Sequence, residues 1–178
     1  MASLKRRTLL AAGATLPIVL RPRKPVAAIV PKAADLKPGA EVPEIHFTLP
    51  DGAARTLRDY AGQGIVLNFW ATWCVPCVEE MPALAKLAGL LEGTKVAILP
   101  LSSDRGGAAA VEKFYREKGI EGLPVLLDPR GDAARAFGAR GIPTTVLIDA
   151  QGRERGRIEG AADWADPDAV AAVKELAK

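Results

Sequence analysis

An apolar run that leads into a pair of cysteines is the feature that most constrains the fold of this chain. Residues 64–71, GIVLNFWA, are almost continuously apolar, and residues 74–77, CVPC, follow after a short gap. A short continuous apolar run is typical of a strand that is covered on both faces. Residues 75–91 then carry apolar side chains at helical spacing, including Met81 and Leu84. The sequence therefore predicts a buried strand that runs into a helix at the cysteine pair.

The rest of the folded part alternates in the same way. We predict further strands at 45–49, 95–102, 123–128, 144–149 and 153–160, and further helices at 106–119, 130–138 and 166–178. Residues 150–152, AQG, form a turn that makes the last two strands a hairpin. Strands that alternate with helices and end in a hairpin and a helix indicate one layered α/β domain, residues 44–178.

Basic residues are concentrated at the N-terminus. The formal net charge of the 178-residue chain is +3, and residues 1–28 contain six Lys and Arg and no acidic residue. The remainder of the chain is therefore mildly acidic. A folded part without a basic excess gives no electrostatic reason to bind nucleic acid, so we expect no nucleic-acid partner.

Residues 1–28 have the pattern of an export signal. A basic cluster with Arg6 and Arg7 precedes the apolar residues 9–20, which are fewer than the roughly 20 residues that a spanning helix needs. The pair Arg6-Arg7 resembles a twin-arginine signal, and small residues at 26–28 suit cleavage. The alternative is an uncleaved segment that anchors the protein to a membrane. Both predict a periplasmic or other extracytoplasmic location, with residues 29–43, which contain three prolines, as a spacer.

Cys74 and Cys77 are the only cysteines of the chain. A purely structural disulfide between them would close a very short loop and give little chain-entropy stabilisation. Zinc needs about four ligands, and the chain adds only one histidine, His46. Haem attachment needs a histidine after the second cysteine, where Val78 stands. Redox chemistry and copper(I) binding, which suits two soft thiolates, stay open.

The position of the pair favours redox chemistry. Cys74 lies where the strand ends and the helix begins, so unpaired backbone N–H groups and the helix dipole favour its thiolate. Cys77 lies one turn further on the same face, where it can resolve a mixed disulfide. Pro76 suits the first helical turn because its missing N–H would have no partner there.

Several motifs together resemble one family. "NFWATWCVPC", "CVEEMP", "RGIPTTVLID" and "GRERGRIEG" resemble the thioredoxin superfamily and, within it, the exported TlpA/ResA-type branch. The resemblance covers roughly residues 40–178. It implies a thioredoxin-like fold, with a central mixed β-sheet flanked by helices in a single domain after the export signal.

The resemblance also implies roles for particular residues. The Ile142–Pro143 peptide bond would be cis and lie beside Cys74, and the backbone of Ile142 would pair with an extended substrate segment. Glu80, three residues after Cys77, would raise the cysteine pKa by charge repulsion and accept a proton from Cys77. The alternative for Glu80 is a solvated helix carboxylate. Trp73 would belong either to the core or to the docking surface.

Asn68 departs from the pattern of cytosolic thioredoxins, which carry a buried aspartate at this position of the strand. An asparagine does not exchange protons near neutral pH, so Glu80 becomes the expected proton-handling group. Val75-Pro76, between the cysteines, offers no charge or histidine that would stabilise a thiolate. Because strong oxidants stabilise their reduced form, this absence favours a reductant.

The resulting hypothesis is an exported thiol:disulfide oxidoreductase, a monomer without cofactor or metal. Its substrates would be protein disulfides in apocytochrome c or in copper-delivery proteins for respiratory oxidase, and a membrane dithiol donor would re-reduce it. A copper(I) carrier that uses the same thiols, and a thiol peroxidase of the same fold, are the alternatives.

Overall fold

The computed structural model describes residue 29 and residues 31–178. The expected export signal, residues 1–28, lies outside the described residues. In the described part of the chain, no helix combines the length and the apolar character that are needed to cross a membrane.

In the described residues, seven strands and four α-helices form the domain, together with two short 3₁₀ helices, Ala33–Asp35 and Leu57–Tyr60. The strands are β1 His46–Thr48, β2 Ala54–Thr56, β3 Gly64–Trp70, β4 Val96–Ser102, β5 Leu126–Leu127, β6 Thr144–Ile148 and β7 Glu154–Glu159. The helices are α1 Val75–Leu90, α2 Gly107–Lys118, α3 Asp132–Ala136 and α4 Pro167–Glu175.

The strands form one mixed sheet in the order β2-β1-β5-β4-β3-β6-β7. β3 is parallel to β4 on one side and antiparallel to β6 on the other. Every residue of β3 is buried, as the continuous apolar run predicts. The carboxyl end of β3, where α1 begins, therefore lies in the middle of the sheet. This placement confirms a central mixed sheet flanked by helices.

Two hydrophobic layers cover the faces of the sheet. Val66 and Trp70 of β3 pack in one layer with the apolar sides of α1, α2 and α4. Ile65, Leu67 and Phe69 pack in the other layer with α3 and β1. This division follows from the alternation of side chains along a strand. Asn68 shares the parity of Val66 and Trp70, so its polar side chain lies on the α1 side.

The clearest differences from the prediction are two shortened elements and one additional strand. The strand expected at 123–128 is reduced to Leu126–Leu127, and Pro124, which has no N–H, cannot donate to a ladder. The helix expected at 130–138 begins only at Asp132, because Gly131 is left-handed (φ 68°) and the Asp128 carboxylate accepts from the following N–H groups. Strand β2 was not predicted.

Residues 37–42, within the expected spacer, lie along the start of β7 and the turn before it. Backbone hydrogen bonds join Lys37 N to Arg155 O, Glu154 N to Ala40 O, and Val42 N to Gly152 O. Gly39 allows the close approach, since a Cβ there would overlap the Glu154 carbonyl oxygen. The segment is thus attached to the domain edge by its backbone.

Candidate active site

Cys74 and Cys77 form a disulfide at the start of α1, with their Cα atoms 5.2 Å apart. Cys74 is the N-cap residue, and its sulfur accepts from the Cys77 backbone N–H at 3.3 Å. Cys74 is 6% exposed and Cys77 is completely buried. An anionic sulfur at Cys74 would receive this N–H bond and the positive end of the helix dipole. The geometry therefore favours Cys74 as the accessible thiolate.

A buried carboxylate holds the turn before Cys74. Asp104, just beyond β4, accepts from the Thr72 backbone N–H at 2.9 Å and from the Thr72 hydroxyl at 2.6 Å. The Ser102 hydroxyl also donates to Asp104, at 2.7 Å. Sequence reasoning missed Asp104. An aspartate that follows a buried strand next to β3 is the signal that would have placed it here, because parallel strands end at the same edge.

The loop before β6 lies against the cysteine pair. The Ile142–Pro143 peptide bond is cis, and the Ile142 carbonyl oxygen lies 3.6 Å from Cys74 Sγ. Pro143 is buried, and its carbonyl oxygen accepts from Gly160 N at 2.9 Å. The structure thus brings Cys74, Ile142 and Pro143 together.

Exposed apolar side chains flank Cys74. Trp73 and Val75 are each 67% exposed, whereas Trp70 is completely buried and packs against Phe114 and Tyr115. Trp73 is therefore a surface residue and Trp70 a core residue. The sequence analysis did not predict Val75 as a surface contact.

Glu80 is buried behind the disulfide, only 3% exposed. Its Oε1 accepts from Asn68 Nδ2 at 2.9 Å. Its Oε2 accepts from the Ala162 backbone N–H at 2.9 Å and from Trp164 Nε1 at 3.4 Å. Burial raises the pKa of Glu80 above its usual 4.5, and these donors oppose the rise. Glu80 is not a solvated carboxylate, whereas its neighbour Glu79 is exposed.

The two donors from the loop after β7 were missed in the sequence. Ala162 and Trp164 lie more than 80 positions from Glu80, at separations of 82 and 84 residues. No local pattern identifies such contacts. Asn68, at the position where cytosolic thioredoxins carry a buried aspartate, is completely buried and also donates to Thr145 Oγ1 at 2.9 Å.

Residues 38–155 match the model of the AhpC/TSA family. The chain is 33% identical over 129 residues to thiol-disulfide oxidoreductase ResA of Bacillus thuringiensis subsp. konkukian, covering 72% of this chain and 73% of that protein. It is 34% identical over 122 residues to ResA of Geobacillus thermodenitrificans, covering 68% of this chain and 69% of that protein.

Solved structures give the same result. A thiol:disulfide interchange protein of the thioredoxin family from Chlorobium tepidum TLS superimposes with a TM-score of 0.64 and 27% identity, over 81% of this chain and 99% of that one. The exposed lipoprotein thioredoxin Etrx1 of Streptococcus pneumoniae gives a TM-score of 0.62 and 27% identity, over 75% and 99%. These likenesses confirm the thioredoxin-like fold and do not favour the copper-carrier or peroxidase alternatives. The chain belongs to the AhpC/TSA family of the thioredoxin superfamily, among the ResA-type thiol-disulfide oxidoreductases.

Proposed function

We propose that this protein is an exported reductant that passes electrons from the Cys74–Cys77 dithiol to disulfides of other proteins. The observation that carries the proposal is the position of the cysteine pair. The more exposed sulfur caps α1 beside the Ile142 carbonyl, and the second sulfur is buried one turn behind it.

The exchange has two steps. The Cys74 thiolate attacks one sulfur of the substrate disulfide, a mixed disulfide forms, and the other substrate sulfur leaves as a thiolate. Cys77 then loses its proton and attacks Cys74 Sγ, which releases the second substrate thiolate and forms the Cys74–Cys77 bond. Two electrons pass to the substrate, whose two thiolates take up protons.

Glu80 is the proposed proton acceptor for Cys77. It lies three residues after Cys77 on α1, and both side chains are buried in the same layer. A carboxylate with a raised pKa accepts a thiol proton more readily than an exposed one does, because the difference in proton affinity between the two groups is smaller.

The proposed docking surface consists of Trp73, Val75 and Ile142, and the buried Pro143 adjoins it. Two exposed apolar side chains next to Cys74 offer contact area, and the backbone of Ile142 offers pairing to an extended segment. Small oxidants need no such surface, so it favours protein substrates.

The residues between the cysteines support the proposed direction of electron flow. Val75 and Pro76 carry no charge that would stabilise the reduced form. A reductant of this kind needs a dithiol donor, for which a membrane protein is proposed, and apocytochrome c or copper-delivery proteins are the proposed substrates. The protein would act as a monomer. Export is supported by the N-terminal pattern, and the name of the pneumococcal relative describes an exposed lipoprotein.

Two measurements test the proposal together. The midpoint potential of Cys74–Cys77 should lie well below the about −120 mV of a strong oxidant, nearer the about −270 mV of thioredoxin. Thiol trapping in cells should find the pair mainly reduced and outside the cytoplasm. A potential near about −120 mV, with the pair mainly oxidised in cells, would reverse the proposed direction.

A further inference from the structure

We infer that Asn68 is a positioning residue whose side-chain amide turns over when Glu80 changes its protonation state. In one orientation the amide donates to the carboxylate, and in the other it accepts from the carboxylic acid. The inference rests on the proposed role of Glu80 as the proton acceptor of Cys77 and deepens it.

The two carboxylate oxygens of Glu80 have different hydrogen-bond partners. Oε2 accepts from a backbone N–H, that of Ala162, and from the indole N–H of Trp164. Neither group can act as an acceptor. A proton on Oε2 would therefore face two hydrogen-bond donors, so the acid form of Glu80 carries its proton on Oε1.

Oε1 faces the Asn68 amide. The described residues place one hydrogen-bond partner on Oε1, Asn68 Nδ2 at 2.9 Å. An amide carries a donor at one end and an acceptor at the other. Rotation by a half turn about the last side-chain bond of Asn68 replaces Nδ2 by Oδ1, which then accepts the Oε1–H proton.

The second partner of Asn68 tolerates the same rotation. Nδ2 also donates to Thr145 Oγ1 at 2.9 Å. A hydroxyl both accepts and donates, so Thr145 can donate to Oδ1 after the rotation. Asn68 thus keeps two hydrogen bonds in either orientation. Its Oδ1 is buried and has no partner among the described residues, so the rotation exchanges an unpaired acceptor for unpaired Nδ2 donors at the same place.

The rotation stabilises the carboxylic acid that forms when Glu80 takes the proton of Cys77. The Cys77 S–H bond breaks, its proton passes to Glu80 Oε1, and the Cys77 thiolate attacks Cys74 Sγ in the mixed disulfide. The rotated Asn68 then holds the new acid until the proton leaves to solvent. No further oxidant or reductant enters.

Other titratable groups near Glu80 are either hydrogen-bonded to other residues or exposed to solvent. Glu80 forms no ion pair within the described part of the chain. Tyr115 of α2 donates to the Pro124 carbonyl, and Asp163 of the loop after β7 is exposed and caps Ala165 N. Apolar side chains of the same layer, among them Val66, Leu147, Ala162 and Val173, surround these groups. Cys77 is the titratable group that remains to exchange a proton with Glu80.

Side-chain NMR of the oxidised full chain tests the rotation directly, because neither cysteine titrates in the disulfide. We expect the Glu80 carboxyl ¹³C resonance to titrate, and the Asn68 side-chain amide protons to lose their NOE contacts with Thr145 at the same midpoint. In Thr145→Val, the Asn68 amide protons should still lose their contacts with the side chain at position 145 as Glu80 titrates. Asn68 amide protons that keep these contacts across the Glu80 midpoint would overturn the inference.

Kinetics of the resolving step provide the second test. Asn68→Leu should slow decay of the mixed disulfide about tenfold and leave alkylation of Cys74 by a small reagent unchanged, since positioned acid–base groups contribute at least this much. If Asn68→Leu resolves like wild type while Glu80→Gln is slow, the inference fails and the role of Glu80 stands. If Glu80→Gln also resolves like wild type, the proposed role of Glu80 fails. Should Asn68→Leu not fold, the NMR titration of the wild type decides.

Discussion

Asn68 Nδ2 donates to Glu80 Oε1 at 2.9 Å, and this bond joins the strand that ends at the active site to the helix that begins there. Both side chains are almost completely inaccessible to water. A buried carboxylate is tolerated when fixed donors replace its water, and Glu80 has three of them. The site therefore keeps a titratable group inside the hydrophobic layer behind the cysteines.

Burial of Glu80 predicts a specific pH dependence of stability. The pKa of Glu80 is raised above 4.5 in the folded protein. Below about pH 4.5 both the folded and the unfolded states hold the proton, and above it the unfolded state releases the proton first. The contribution of Glu80 to the free energy of unfolding therefore falls as pH rises from about 4.5 through its folded-state pKa.

Glu80→Gln removes this contribution. We compare the free energies of unfolding of oxidised Glu80→Gln and oxidised wild type by urea unfolding. The value for Glu80→Gln minus that for wild type should increase as pH rises from about 4.5 through the folded-state pKa of Glu80. Glu79→Gln, at the exposed neighbouring position, should keep the pH dependence of wild type. A constant difference between Glu80→Gln and wild type would contradict the raised pKa.

Asp104 should determine how firmly the turn before Cys74 is held. In Asp104→Ala, the Thr72 N–H, the Thr72 hydroxyl and the Ser102 hydroxyl lose their acceptor. We expect the free energy of unfolding to fall by about 3 kcal/mol and disulfide exchange to slow, whereas Thr72→Val, which removes one donor, should cost about 1 kcal/mol. Equal stability of Asp104→Ala and wild type in urea unfolding would show that these bonds do not hold the turn.

Much of this arrangement could be predicted from sequence, but only where the cause is local. The continuous apolar character of 64–71 located β3, and helical spacing placed Glu80 behind Cys77. Asp104 lies 32 residues from Thr72, and Ala162 lies 82 residues from Glu80. These contacts depend on which strands and loops are neighbours in the sheet. The pairing of Pro143 with Cys74 came from the family resemblance and not from any local pattern.

Trp73 should matter for protein substrates and little for stability. Its side chain is 67% exposed, so Trp73→Ala should change the free energy of unfolding by less than about 0.5 kcal/mol. Loss of an aromatic contact should raise the KM for a protein disulfide about tenfold while a small disulfide reacts as before. Leu90→Ala, an exposed apolar residue at the other end of α1, is the matched control. Equal effects of the two substitutions would argue against a docking role.

Substitution of Gly64, the first residue of β3, tests its close contact with Leu176, the residue that follows α4. A Cβ at Gly64 would lie 2.6 Å from Leu176 Cβ and 2.7 Å from the Leu176 carbonyl carbon. We expect Gly64→Ala to lower the free energy of unfolding by about 1–3 kcal/mol. Gly89 of α1 has open space around it, so Gly89→Ala should be stabilising, by up to about 1 kcal/mol. Thermal melting compares the two, and an unchanged Tm for Gly64→Ala would contradict the close contact.

Trapping of the mixed disulfide tests the central claim most directly. Reduced Cys77→Ser should form a stable mixed disulfide with a protein disulfide substrate, which mass spectrometry should locate at Cys74. Reduced Cys74→Ser should form none, because the remaining sulfur at position 77 is completely buried. Trapping through Cys77 at the same rate, or full disulfide-reducing activity in Cys74→Ser, would contradict exchange through Cys74.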